Sequence, residues 1–136
     1  MQSQMNTIRA MLLVATTALT INSALAYDPE RATNNMAHDF ANCSAYFSLL
    51  VEMKELSEEA KAQYKESSFR MYAVSVQLTN SQTASARVQM SLKEMEVKLD
   101  GKAANWSILL NENAALCKGV AENPEARMKY WLEKQG

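Results

Sequence analysis

Apolar side chains recur along this chain at spacings of three and four, the period of one helical face. Met36, Phe40, Cys43, Phe47 and Leu50 form the first stripe. It predicts a helix from residue 33 or 34 to about residue 54. An extended lead-in over residues 27–35 comes first, because a residue before proline is biased away from helix. Continuing the stripe would turn Lys54, Ser57 and Lys61 inward, and a new one begins at Ala60 and runs through Tyr64, Ser67, Met71, Val74 and Leu78. The change of phase predicts a break at 55–57, with Ser57 as N-cap and Glu58 and Glu59 in the first turn, where the helix dipole favours them.

The polar segment 79–83 reads as a connection. A third stripe holds Val88, Leu92, Met95 and Leu99 and stops at Asp100-Gly101, since glycine readily takes the left-handed conformation at a helix end. The fourth holds Ala103, Trp106, Leu110, Ala114 and Cys117, with Gly119 as its expected stop. Asn123-Pro124-Glu125 opens a short last helix that presents Met128, Trp131 and Leu132: a capping side chain, proline at the first helical position, then a carboxylate.

Composition supports these assignments. Only three glycines and two prolines interrupt a chain rich in Ala, Met, Leu, Glu, Lys and Gln, all strong helix formers. The class read from the sequence is all-α: a small up-down four-helix bundle with a short C-terminal helix. A long two-helix hairpin folding at Asn80 is the alternative. Both bring Cys43 opposite Cys117, and both place a buried bridge between them. The phase break near residue 55 and the Asp100-Gly101 stop favour four helices.

The first 26 residues read differently. Arg9 is the only charge before the apolar run of residues 10–21, and Ala24-Leu25-Ala26 gives the small-x-small pattern of a signal-peptidase site. The run falls short of the roughly 20 residues needed to span a bilayer. The expectation is a leader cut between Ala26 and Tyr27, a single helical domain over residues 27–136, a periplasmic or secreted location and no stable membrane insertion. In such a compartment two cysteines are expected to pair.

Charge and motifs then narrow the chemistry. The chain carries 14 Lys and Arg against 15 Asp and Glu, interspersed, for a net charge of −1. It has no basic stripe for nucleic acid. His38 is the only histidine, and nine methionines accompany it. A bundle can hold haem between one His and one Met, but no Cys-x-x-Cys-His attachment motif is present. No Gly-x-Ser-x-Gly elbow occurs. Glu52, Glu55, Glu58 and Glu59 are interleaved with lysines, as on a solvated helix face. The sequence therefore predicts no enzyme, no cofactor and no metal site. Tyr130, Trp131 and Leu132 form an aromatic tip of the kind that anchors partners, although Trp131 could instead dock back and close the open end of the bundle. The leading expectation is a macromolecule-binding protein of inhibitor, immunity or accessory-subunit type, with another exported protein as partner. An acid-stress chaperone, loosened when its carboxylates neutralise, and a haem or small-ligand carrier are the competing readings.

Overall fold

Asp28 opens the first helix rather than preventing it. In the computed structural model, which describes residues 28–134, the Asp28 carboxylate accepts the Glu30 amide at 2.9 Å and Pro29 takes the first helical position. Helix α1 therefore spans Pro29–Leu50, starting before the expected point and ending before residue 54. The extended lead-in is thus corrected: proline at the first turn sacrifices an amide that has no partner in a helix anyway.

The other boundaries follow their caps. Ser57 accepts the Ala60 amide at the start of α2, Glu58–Leu78. Asn80 accepts the Thr83 amide at the start of α3, Ser81–Leu99. Asp100 and Gly101 then take φ of 47° and 65°, the left-handed stop expected there. A single 3-10 turn, Ala103–Asn105, leads into α4, Trp106–Glu122. Asn123 accepts the Ala126 amide and caps α5, Pro124–Glu133. The turn at 51–57 and the stop at 100–105 separate four main helices, so the long hairpin is not the fold that forms.

Neighbouring helices run antiparallel. Ser75 Oγ donates to the Ala37 carbonyl and Ser68 Oγ to the Ser44 carbonyl, both at 2.9 Å, fixing α2 against α1. Cys43 is bonded to Cys117, and Asn42 donates to Asn113 at 2.9 Å, fixing α4 against α1. Arg87 on α3 reaches Asn34 near the start of α1. Helix α1 is the hub: α2, α3, α4 and α5 all pack on it. Its buried positions include Ala32, Ala37, Ala41 and Ala45 as well as the larger Met36, Phe40, Tyr46, Leu49 and Leu50. The small residues let neighbouring backbones approach, which is how serine hydroxyls of α2 reach α1 carbonyls.

On α4 the expected stripe is displaced. The buried line is Leu109, Asn113, Cys117 and Val120, whereas Ala103, Leu110 and Ala114 face outward. Asn113 is the reason. A polar residue is poor evidence of a core position, yet here it is buried and satisfied, accepting from Asn42 and donating to the Leu109 carbonyl at 3.0 Å. Gly119 does not end the helix, which continues to Glu122. The leader assigned to residues 1–26, and its cleavage point at Ala26 and Tyr27, lie outside the described residues. Among the described residues no helix is long and apolar enough to cross a membrane.

Candidate functional site

Helices α2, α3, α4 and α5 all pack on α1, but α2 and α4 share no substantial packing, and a cleft remains between them above the buried Met36 and Phe40. This opening is an apolar groove of about 500 Å³. Its long wall is the stripe of α2, with Ser67, Met71, Val74 and Leu78 at helical spacing. Met36 and Phe40 of α1, one turn apart, form the floor. The opposite wall is the corner between α4 and α5, where Val120, Ala121, Pro124 and Met128 line the cavity. Arg70 stands at the α2 rim and Glu125 at the α5 rim. The volume and lining fall within the range of ordinary binding clefts, apolar inside with a few polar groups at the edge.

A buried carboxylate positions the α5 wall. Asp39 is 5% exposed and lies on the same side of α1 as Met36 and Cys43. Its Oδ2 accepts Arg127 Nε at 2.6 Å and its Oδ1 accepts the Arg127 terminal nitrogen at 3.2 Å, a two-point grip. Oδ2 also accepts Trp131 Nε1 at 2.6 Å. The Arg127 guanidinium lies over the rings of Tyr130 and Trp131, at 4.4 and 4.9 Å from their centroids. These contacts bind one face of α5 to α1, and the two rings meet edge-on at 5.0 Å.

The residues singled out in the sequence are therefore divided. Cys43 and Cys117 form the bridge, both wholly buried, with Cα atoms 5.3 Å apart. Trp131 is half-buried and turned toward Asp39, while Tyr130 and Leu132 remain exposed at 44% and 43%. His38 is exposed and stands two residues from both Met36 and Phe40. At about 100° per residue that places it roughly opposite the groove floor, so the imidazole and the groove methionines are not brought together. No group of three or more His, Cys, Asp or Glu suited to a metal ion occurs among the described residues.

Neither the pairing of Asp39 with Arg127 nor the groove itself is legible in the sequence. The signal for Asp39 was a charge on the apolar face of α1, and for Arg127 its i,i+4 spacing to Trp131. No protein-family model matches the chain, and comparison with curated proteins and with solved structures returns no similar protein.

Proposed function

We propose that this chain is an exported, disulfide-stapled binding protein, and that the groove between α2 and the α4–α5 corner receives an amphipathic helix of another exported protein. The open apolar groove carries this reading. Its α2 wall runs from Ser67 to Leu78, which at 1.5 Å per residue is about 16 Å. That length suits about three turns of a guest helix laid along the groove with its apolar face inward. Arg70 is ion-paired with Glu66 on its own helix, so that pair is neutral, whereas Glu125 makes the α5 rim acidic. A guest with a basic edge toward α5 would be held in one orientation. The buried bridge and the leader pattern support placing this work outside the cytoplasm.

The same volume also suits a long-chain aliphatic ligand, which is the second reading. A binding experiment separates the two. A synthetic amphipathic peptide of about three turns, with one basic edge, is titrated against the protein by calorimetry. A straight-chain fatty acid is titrated in parallel. Ala121→Arg, at an exposed position on the groove wall, should weaken peptide binding at least about tenfold by filling the cleft, leaving the helical circular dichroism unchanged. Binding of the fatty acid without the peptide would replace this reading with the carrier. Peptide binding that Ala121→Arg leaves intact would put the site elsewhere.

A further inference from the structure

We infer that α5 is a hinged wall of the groove, held shut by the Asp39 carboxylate, and that its opening admits and releases the guest. The inference rests on the groove being the binding site.

Four features of α5 lead to this. It supplies Pro124, Glu125 and Met128 to the groove, yet none of its residues is fully buried. At ten residues it is too short to hold a helix by itself, so its order depends on docking. Among the described residues, Arg127 and Trp131 both attach it to one side chain of α1, Asp39. Finally, it lies beyond Cys117, outside the loop closed by the bridge, and joins α4 through Asn123 alone, at φ −143° and ψ 69°.

The opposite wall is different in kind. Met71 is part of the buried core, and α2 is tied to α1 by Ser68 and Ser75. Met128 and Trp131 pack against the core, but no α5 residue is fully buried, and such segments open locally at lower free energy than the whole domain unfolds. Rotation of α5 about Asn123 would remove Pro124 and Met128 from the wall and uncover Met36, Phe40 and Val120. Return of α5 would close the cleft on whatever occupies it. Asp39 and Arg127 thus act on the guest only through α5: they are positioning residues, not contact residues.

Hydrogen exchange read by mass spectrometry tests this on the full chain. In the native protein the amides of residues 126–133 should exchange faster than those of α1 and α4. Asp39→Asn keeps the shape but removes the charge, and should speed exchange in α5 by about ten- to a hundredfold, leaving α1 and α4 within about twofold. Trp131→Phe keeps the ring and loses one hydrogen bond, and should speed α5 by about three- to tenfold. With the amphipathic peptide bound, α5 exchange should slow, and Asp39→Asn should hasten peptide release. Equal exchange of α5 with α1 and α4, in the native protein or in either variant, overturns the hinge. Faster α5 exchange with unchanged peptide release overturns the gating. If the peptide does not bind at all, the groove reading fails, and the hinge is then judged on the exchange of α5 alone.

Discussion

Removing the Cys43–Cys117 bridge should show how much of this fold is held through its unfolded state. The two residues are 74 apart in sequence, so the bridge closes a loop of nearly the whole bundle, from the middle of α1 to the latter part of α4. For a loop of that size the chain-entropy relation gives about 4.5 kcal/mol. Domains of this length are stable by only about 5–15 kcal/mol in total. The double substitution Cys43→Ala and Cys117→Ala should therefore lower unfolding free energy by about 3–5 kcal/mol, part of it from losing two buried sulfurs. The native fold should survive, because the Asn42–Asn113 hydrogen bond and the serine contacts of α2 do not depend on the bridge. Urea denaturation followed by far-ultraviolet circular dichroism measures both the midpoint and the slope. The slope should rise in the variant, since an unlooped chain exposes more surface when unfolded. A loss below about 1 kcal/mol with an unchanged slope would refute the reasoning and show that the bridge does not act through loop entropy.

Gly119 sits inside α4, and a Cβ built there meets nothing within 4 Å; Gly119→Ala should stabilise the protein by about 0.5–1 kcal/mol, read as a higher thermal midpoint. Burial of Tyr46, reinforced by the neighbouring Tyr64 phenol, raises its hydroxyl above the ordinary value of 10.0. The fold therefore favours the neutral phenol, and this contribution is complete below about pH 10 and is lost as pH climbs through the raised value. Urea midpoints of the native protein should fall more steeply above pH 10 than those of Tyr46→Phe; parallel curves would contradict it.

Much of the architecture was legible because apolar spacing and capping chemistry agree at most boundaries. Ser57, Asn80 and Asn123 each accept the amide three residues on, as residues of their kind do before a helix. Asp28-Pro29 carries the same signature as Asn123-Pro124, a capping side chain followed by proline at the first helical position, and it opens α1 as the other opens α5. The buried line of α4 departs from the apolar spacing at Asn113, because a buried amide with partners satisfies the core as well as an apolar side chain does. The groove was illegible for a different reason. Met36 and Met71 are core residues in the fold as in the sequence, and the groove beside them arises only because α4 packs away from α2. Asp39 and Arg127, 88 residues apart, could not be paired without the fold.

The makeup of α1 also bears on how the chain survives before it is folded. As the most N-terminal helix described, α1 is made before the helices that cover it. Five of its twelve buried positions, Ala32, Ala37, Ala41, Ser44 and Ala45, are small. Waiting for its partners, such a helix exposes less of the adhesive apolar surface that drives incomplete chains to aggregate. A hub built from leucine would bury more area in the finished bundle, but would be the stickiest part of the chain while it stood alone.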